Sequence, residues 1–271
     1  MKGLDKSILN FLKEDAFDKD VTSSLMRREK CIAEIKVNEE CVLAGMEEAR
    51  KIFEFVGAKV LFSRNDGEKC REGEVVLRVE GLNTKLMPVE RTVLNLLGRM
   101  SGVATACAKA FAITKRYNVK PAITRKTMPG MREYDKKAAR IGGAWPHRKD
   151  LSEMVLLKEN HLFFFKNVGE AIKAARKTYR DIKVEAEAES IGEAIEAAKA
   201  GADIVMLDDF SLVEARKAIK VLRGYPVQIE LSGGITFENL EEYASLRPDI
   251  ISMGCLTKSA PMVDFSMRVI A

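Results

Sequence analysis

Short apolar runs alternate with amphipathic segments of helical period throughout the chain from residue 120 onward. Repeated β-α units of this kind predict parallel strands joined by right-handed helical crossovers. Helices are expected at 168–179, 191–201 and 212–222. Strands are expected at 121–126, 154–160, 182–188, 203–209, 227–234 and 250–256. Six strands are fewer than the eight of a closed barrel, so two architectures stay open: an incomplete α/β barrel and a doubly wound sheet.

The chain before residue 118 has a different pattern of predicted helices and strands. A helix is predicted at about 5–14, and the short apolar segments that follow it are typical of strands in a mixed or antiparallel sheet. Asn-Asp-Gly at 65–67 is a turn signal between two of these strands. A long helix is predicted at 89–117, with Gly98 and Gly102 as points of close packing. No low-complexity linker separates the two parts, so we expect them to pack firmly.

Composition excludes several classes of protein. The 271 residues carry 45 Lys and Arg against 40 Asp and Glu, and this dispersed net charge of +5 is too mild for a nucleic-acid partner. The five cysteines are widely spaced without a C-x-x-C motif, which indicates reduced thiols rather than disulfides or zinc. The N-terminal segment is typical of an amphipathic helix and not of a signal peptide. No apolar run reaches the roughly 18 residues of a membrane span, so we expect a cytoplasmic protein.

Charged and glycine-rich residues stand where the predicted strands end. In chain order these ends carry Arg125 and Lys126, then Lys158, Glu187, Asp208, the run Ser232-Gly233-Gly234, and Gly254. Parallel α/β folds bind their ligands at the carboxyl ends of the strands. We therefore expect these residues to share one rim and to face a ligand.

Glu185, Glu187 and Glu189 alternate with small residues on one predicted strand. Strand side chains alternate with period two, so the three glutamates share a face. On an edge strand that face would be solvated. In a barrel it would line the interior, where a buried charge needs a partner, and Lys158 or a divalent metal would supply one.

The remaining polar residues suit an anionic ligand. Glycines before a helix form a phosphate site, because free N–H groups and the helix dipole favour anions, and Gly233-Gly234 precede a predicted helical segment. His147 and Arg148 add to the cations of the rim, while His161 is the second of only two histidines. Five cationic groups against Glu187 and Asp208 suit a ligand with several carboxylates or phosphates, with a metal near the acids.

Nine stretches of the chain form a specific ordered set, namely DVTS (20–23), ERTVLNLLGRMSGVAT (90–105), TRKTMPGMR (124–132), GGAWPHR (142–148), LLKENH (156–161), VEAEAES (184–190), MLDDF (206–210), LSGGI (231–235) and MGCLTKS (253–259). Through these stretches the chain resembles the quinolinate phosphoribosyltransferases, the carboxylating nicotinate-nucleotide pyrophosphorylases. The resemblance covers almost the whole length.

This resemblance implies an α/β protein with an N-terminal α/β sandwich domain and an open barrel of six or seven parallel strands. We expect the first domain at 1–107 and the barrel domain at 108–271, with the extreme C-terminus packing back on the first domain. The implied enzyme, a pentosyl-type glycosyltransferase of NAD biosynthesis, transfers phosphoribose from phosphoribosyl pyrophosphate to quinolinate. The products are nicotinate mononucleotide, pyrophosphate and carbon dioxide. The resemblance also implies Mg²⁺ as cofactor and a homodimer or higher oligomer.

The resemblance assigns roles residue by residue. It implies that Arg91 reaches into the partner's site, that Arg125, His147 and Arg148 hold the quinolinate carboxylates, and that Lys126 and Lys158 lie between the two substrates. Glu187 and Asp208 are implied near the ribose and Mg²⁺, bound directly or through water. These two acids and two lysines are the implied catalytic residues. The expected substrate-binding set also includes Thr124, Ser232, Gly233, Gly234 and Gly254, the last three at the 5′-phosphate.

Several positions depart from the family pattern. Ile123, Pro146, Asp209 and Lys258 stand where many members have Asp, Asn, Asn and His. Their effect, most of all that of Lys258 on the phosphate side, does not follow from the sequence.

Other functions stay open as alternatives. They are a molybdenum-transport-associated paralogue of the same fold, an aldolase using Lys158 as a Schiff base, and a non-enzymatic phosphate-binding barrel.

Overall fold

The computed structural model describes residues 4–271, and residues 1–3 of the predicted first domain lie outside the described part. The helices are α1 (Lys6–Glu14), α2 (Met46–Phe55), α3 (Asn83–Thr114), α4 (Arg132–Ile141), α5 (Glu159–Leu162), α6 (Val168–Thr178), α7 (Ile191–Lys199), α8 (Leu212–Leu222), α9 (Leu240–Ser245) and α10 (Cys255–Lys258). The strands are β1 (Lys30–Val37), β2 (Cys41–Val42), β3 (Lys59–Ser63), β4 (Lys69–Cys70), β5 (Val75–Leu82), β6 (Lys120–Ala122), β7 (Val155–Leu157), β8 (Val184–Ala188), β9 (Ile204–Asp208), β10 (Gln228–Ser232), β11 (Ile250–Ser252) and β12 (Phe265–Val269).

The chain forms two compact units. The first comprises the described residues up to Ala108 together with Pro129–Gly142 and Ala260–Ala271. The second comprises Lys109–Met128 and Gly143–Ser259. The first unit therefore takes in the end of the chain as well as α4.

The first unit is built on a four-stranded antiparallel sheet in the order β12-β1-β5-β3. A second small sheet pairs β2 with β4. The Asn-Asp-Gly segment lies between β3 and β4 and turns there as predicted. Because β3 and β4 belong to different sheets, this turn changes sheets instead of closing a hairpin.

The long helix α3 begins at Asn83, six residues earlier than the sequence predicts. Gly98 and Gly102 pack closely, as expected: a Cβ on Gly102 would lie 2.0 Å from the carbonyl oxygen of Pro261, and one on Gly98 would lie 2.7 Å from that of Val263. Real Cβ atoms do not approach backbone so closely. The two glycines therefore let the segment before β12 lie directly on α3.

The stretch from Asn83 to Tyr117 has the length and apolar composition of a membrane span, which a search for uninterrupted apolar runs does not detect. In this structure 67% of its most apolar window is buried inside the protein. A core helix shows such burial, so the stretch is only weak evidence for a membrane span.

A buried ion pair joins α3 to α4, a helix that the sequence analysis does not anticipate. The Arg99 guanidinium donates from Nε and Nη2 to the two carboxylate oxygens of Asp135, both at 2.8 Å, and both side chains are buried. Removing one partner of such a pair leaves an uncompensated buried charge. The pair therefore makes the position of α4 in this unit depend on its Asp135.

The second unit contains six parallel strands in the order β6-β11-β10-β9-β8-β7. All six predicted strands are present. β6 and β7 stand at the two ends of the order, each with one neighbouring strand in the sheet. Of the two architectures left open by the pattern, the open α/β barrel is confirmed.

The crossover helices begin where their local sequence directs them to begin. Asn167, Ser190 and Ser211 precede α6, α7 and α8, and each side chain accepts the backbone N–H three residues later. This satisfies a donor that the first helical turn leaves free. Each helix thus returns the chain to the amino end of the next strand and leaves the carboxyl ends together at one edge.

Candidate active site

The carboxyl ends of the parallel strands surround a cavity of about 390 Å³. Eleven of the residues predicted for the site line it, namely Thr124, Arg125, Lys126, His147, Arg148, Lys158, Glu187, Asp208, Ser232, Gly233 and Gly234. His147 and Arg148 come from the segment before β7, and the others end or follow strands β6 to β10. The fold therefore brings these strand ends together.

Two predicted residues do not line the cavity. Gly254 lies beside it, since a Cβ at this position would come within 3.1 Å of Cδ of Lys126. Arg91 lies in the other unit, exposed on α3. Its predicted role depends on a second copy of the chain and stays a prediction.

Lys158 and Glu187 form an ion pair at the cavity wall. The Glu187 side chain is 10% exposed and that of Lys158 is 47% exposed, so the lysine covers a buried carboxylate. The expectation that Lys158 compensates the inward-facing acids is confirmed for Glu187. The expectation for Glu189 is wrong: β8 ends at Ala188, and Glu189 is exposed with its N–H donating to Glu193.

Arg125 and Arg148 bring two guanidinium groups to one side of the cavity. Arg148 is buried, and its Nη1 donates to the carbonyl of Met154 at 3.1 Å. Burial, and next the charge of Arg125, lower the pKa of Arg148. Nε of Arg125 is buried and has no hydrogen-bond partner among the described residues. Two neighbouring cations with an unused buried donor favour a bound anion.

His147 lies against two fully buried carboxylates. Its Nε2 is 3.2 Å from Oε2 of Glu185 and 3.4 Å from Oε2 of Glu230. The other oxygen of Glu230 accepts the hydroxyl of Ser252 at 2.5 Å. Burial and the charge of Glu230 raise the pKa of Glu185 to about 7. This cluster holds two acids and one imidazole, so it carries a net negative charge unless a further cation or proton is present.

The neighbours of the His147 ring determine which of its two nitrogens carries a proton. Burial lowers the pKa of His147, but the adjacent carboxylates of Glu185 and Glu230 outweigh it and raise the pKa to about 9. Against a doubly protonated ring, Nδ1 accepts the backbone N–H of Arg148 at 2.8 Å. We therefore assign the ring proton to Nε2, where it faces the carboxylates, and place the extra proton of the cluster on Glu185.

The second histidine, His161, has a local structural role. It lies in α5, and its Nδ1 accepts the backbone N–H of Lys158 at 3.1 Å. This contact fixes the start of the short helix that follows Lys158. His161 does not line the cavity.

The glycine turn after β10 is tightly packed. Gly233 and Gly234 have φ of +86° and +57°, and a Cβ on Gly233 would lie 2.5 Å from the backbone nitrogen of Asp209. The helical segment expected after the glycines is present as α9, but it begins at Leu240, six residues after Gly234. Any anion bound here would therefore meet the turn itself and not a helix N-terminus.

Glu187 and Asp208 suit a magnesium ion that also binds a substrate. Mg²⁺ is commonly held by one or two carboxylates together with substrate phosphates and water. Asp208 is half-buried, and both acids line the cavity. Among residues 4–271, the one group of three ligating side chains with atoms within 4.8 Å of each other is His147, Glu185 and Glu230. The two predicted metal ligands thus fit a Mg²⁺ site that the substrate phosphates complete, and not a site formed by protein side chains alone.

Sequence reasoning missed a second layer of residues in the barrel. Leu156, Met206, Glu230 and Ser252 also line the cavity. Each stands two residues before a predicted site residue on the same strand or strand end, as Glu185 does before Glu187. Period-two alternation of strand side chains was the signal that could have found them.

Two family models match the chain. The model described as the quinolinate phosphoribosyl transferase N-terminal domain matches residues 20–101, and the model of the C-terminal domain matches residues 103–268.

Proteins of known name and structure resemble the chain over most of its length. A probable carboxylating nicotinate-nucleotide pyrophosphorylase of Archaeoglobus fulgidus is 41% identical over 85% of this chain and 91% of its own. The human carboxylating nicotinate-nucleotide pyrophosphorylase is 40% identical over 85% of this chain and 79% of its own. The crystal structure of nicotinate-nucleotide pyrophosphorylase from Ehrlichia chaffeensis has a TM-score of 0.93 at 30% identity and covers 100% of both chains.

We predict that Gly233→Ala disrupts the cavity while a matched glycine replacement does not. A side chain at Gly233 meets the backbone of Asp209 in addition to the strain of positive φ. Gly201 also has positive φ, at +92°, but nothing lies within 4 Å of its Cβ position. Both replacements should cost about 1–3 kcal/mol of stability through backbone strain.

Calorimetric titration with phosphoribosyl pyrophosphate separates the two variants. Gly233→Ala should bind it at least about tenfold more weakly, equal to about 1.4 kcal/mol, whereas Gly201→Ala should bind like the unchanged protein. Equal binding by both variants would contradict a role for this turn.

Proposed function

Since the chain belongs to the quinolinate phosphoribosyltransferase family, we propose that the barrel cavity carries out the reaction for which the relatives are named. The enzyme transfers phosphoribose from phosphoribosyl pyrophosphate to quinolinate. It releases pyrophosphate and carbon dioxide and forms nicotinate mononucleotide for NAD biosynthesis. The observation that carries this assignment is the pair of arginines, Arg125 and Arg148, beside the Lys158–Glu187 pair in one cavity.

Arg125 and Arg148 bind the two carboxylates of quinolinate. Planar guanidinium groups form bidentate hydrogen bonds with carboxylates. The unused buried Nε of Arg125 and the mutual proximity of two cations support this role. A dianion would satisfy the donor and offset the repulsion between the two side chains.

The other rim of the cavity binds the phosphoribosyl donor. Lys126 extends along Gly254, and Thr124 steadies this turn by accepting the N–H of Lys126 at 3.1 Å. The glycine turn formed by Gly233 and Gly234 has no side chains to keep a phosphate from the backbone. This rim therefore offers one ammonium group and bare backbone to the phosphates.

Glu187 and Asp208 face the developing positive charge on the ribose. Carboxylates placed near that ring stabilise an oxocarbenium-like transition state. Lys158 neutralises Glu187 before substrates bind. During the reaction its ammonium group supplies positive charge to the departing pyrophosphate. When carbon dioxide leaves, the electron pair of the broken C–C bond stays on the ring carbon, where the adjacent cationic nitrogen stabilises it until a proton from solvent replaces the carboxyl group.

A magnesium ion would be held by Asp208 and Glu187 together with the donor's phosphates. When bound, it supplies positive charge to the leaving pyrophosphate.

The enzyme acts in the cytoplasm as a homodimer, with Arg91 contributed to the partner's cavity. The exposure of Arg91 in the unit that does not contain the cavity supports this assignment. The five cysteines, which form no disulfide in the described part of the chain, support the location.

A Schiff-base aldolase is disfavoured by the partner of Lys158. Such a lysine reacts as the neutral amine, whereas Nζ of Lys158 forms an ion pair with the carboxylate of Glu187. Reduction with borohydride in the presence of a carbonyl substrate should therefore leave Lys158 unmodified.

A product assay tests the function directly. With quinolinate, phosphoribosyl pyrophosphate and Mg²⁺, the enzyme should form nicotinate mononucleotide and carbon dioxide in equal amounts, and chelation of the metal should stop the reaction. Nicotinate should be a poor substrate, because its missing carboxylate leaves part of the arginine pair unpaired. Equal turnover of the two acids would overturn the assignment.

We predict that Arg125→Lys weakens quinolinate binding by about 1.5–3 kcal/mol, the range for a hydrogen bond to a charged group. The replacement keeps the charge and removes the planar fork. Calorimetric titration with quinolinate measures the loss, and titration with phosphoribosyl pyrophosphate, which should change little, is the control. A similar loss for both ligands would mean that Arg125 supports the cavity as a whole.

We predict that mixing Arg91→Ala and Arg125→Ala subunits restores activity. In a mixed dimer, one cavity receives an intact Arg91 from its partner and keeps its own Arg125. The matched control mixes Arg125→Ala with Arg148→Ala, which damages every cavity and should restore nothing. If subunits exchange and the first mixture is as inactive as the control, Arg91 does not act across an interface.

A further inference from the structure

The cluster of His147, Glu185 and Glu230 holds most of the unsatisfied buried polar atoms in the described part of the chain. Nε2 of His147, both oxygens of Glu185 and Oε2 of Glu230 are four of the seven such side-chain atoms, although they lie near each other. Neither glutamate has any exposed surface. Buried polar groups need a partner, and within this cluster the nearest polar atoms are those of the other members.

The imidazole of His147 is held on three sides. Nδ1 accepts the N–H of Arg148, Nε2 faces the two glutamates, and the ring of Trp145 lies 4.6 Å away at 36°. With the proton on Nε2 directed at carboxylates, the ring has no N–H left for a substrate. Quinolinate, itself a dianion, would have to compete with two buried carboxylates for that donor.

The backbone at His147 is in a conformation that needs support. Its φ of +54° is uncommon for a residue with a side chain. The next residue is Arg148, whose guanidinium lines the cavity beside that of Arg125. The contacts that hold the imidazole therefore also hold the bend that directs Arg148 toward the cavity.

We propose that Glu185 and Glu230 are positioning residues that hold His147 and, through its bent backbone, aim Arg148 at the substrate carboxylate. His147 then belongs to this support and not to the quinolinate-binding set. The identity of the substrate in this inference rests on the proposed function. The arrangement of the His147 ring does not depend on any substrate.

A metal ion is the other occupant that this donor set suggests, since one imidazole and two carboxylates suit a divalent cation. The hydrogen bond at Nδ1 argues against it. A ring that binds metal through Nε2 carries its proton on Nδ1, where the N–H of Arg148 already points. Metal binding would require this contact to break.

Replacing each glutamate by glutamine tests the proposal, because loss of the support should weaken quinolinate binding, whereas loss of a negative charge should strengthen it. Glu230→Gln removes a negative charge near the cavity, which by Coulomb attraction alone should strengthen binding of a dianion, whereas Glu185→Gln replaces a side chain that already holds the extra proton and leaves the charge unchanged. Loss of the support should instead raise KM for quinolinate about tenfold, as for a lost hydrogen bond to a charged group. KM for phosphoribosyl pyrophosphate should change by less than about twofold on the same scale.

Glu189→Gln is the matched control, because Glu189 follows the same strand and is exposed. It should change neither constant. Thermal unfolding of each variant shows whether the fold survives. Unchanged or tighter quinolinate binding in both folded cluster variants would overturn the proposal.

Nitrogen-15 spectra of histidine-labelled protein test the ring itself without substrate. The chain has only His147 and His161, so His161→Gln assigns both rings. We expect His147 to be neutral with its proton on Nε2, and we expect this proton to remain when diamagnetic Zn²⁺ is added. A proton on Nδ1, or loss of the Nε2 proton on addition of Zn²⁺, would overturn the arrangement in favour of a metal site.

The two experiments fail separately. If the product assay finds no carboxylating transfer but the spectra show the expected ring, the proposed function is wrong and the support of His147 stands. If the assay succeeds and the ring differs, the support is wrong and the function stands.

Discussion

Buried charge inside the open barrel is the constraint around which the second unit is organised. Parallel strands place alternate side chains on the interior face, and here that face carries Glu185, Glu187 and Glu230. An uncompensated buried ion costs several kcal/mol, so each carboxylate needs a cation, a proton or a donor. Lys158 meets Glu187, while His147 and Ser252 meet the others. Within residues 4–271, Arg125 and Arg148 form no salt bridge to an acid, so their guanidinium groups are available to an anionic ligand, although the charges of Glu185 and Glu187 act on Arg148.

The residues at the strand ends could be predicted from two features of the sequence. The alternation of β and α segments fixes which ends share an edge, and the resemblance to known motifs identifies the side chains there. The layer beneath could have been found from the same period of two, since Glu230 precedes Ser232 as Glu185 precedes Glu187. Sequence reasoning missed this layer because residues inside a predicted strand are ordinarily interpreted as part of the core and not as part of a site.

Other features depend on contacts that no local pattern contains. The bend at His147 requires a positive φ that its neighbours in sequence do not predict, and the glutamates that contact its ring lie 38 and 83 residues further along the chain. The ion pair of Arg99 with Asp135 similarly joins residues that are 36 positions apart in the sequence. Likewise, the glycines after β10 indicated a helix start, but the turn is held by packing against Asp209 and the helix begins later.

The pairing of β12 with β1 has a consequence for how the protein is made. A ribosome adds residues at about 5–20 per second, so β1 (Lys30–Val37) emerges well before Phe265–Val269, the strand that covers its edge. All strands of the barrel unit are synthesised in the interval. During that time β1 has an open hydrogen-bonding edge of the kind that recruits other chains. Folding of the antiparallel sheet is thus completed last, and a nascent chain stalled late in translation would be the form most exposed to aggregation.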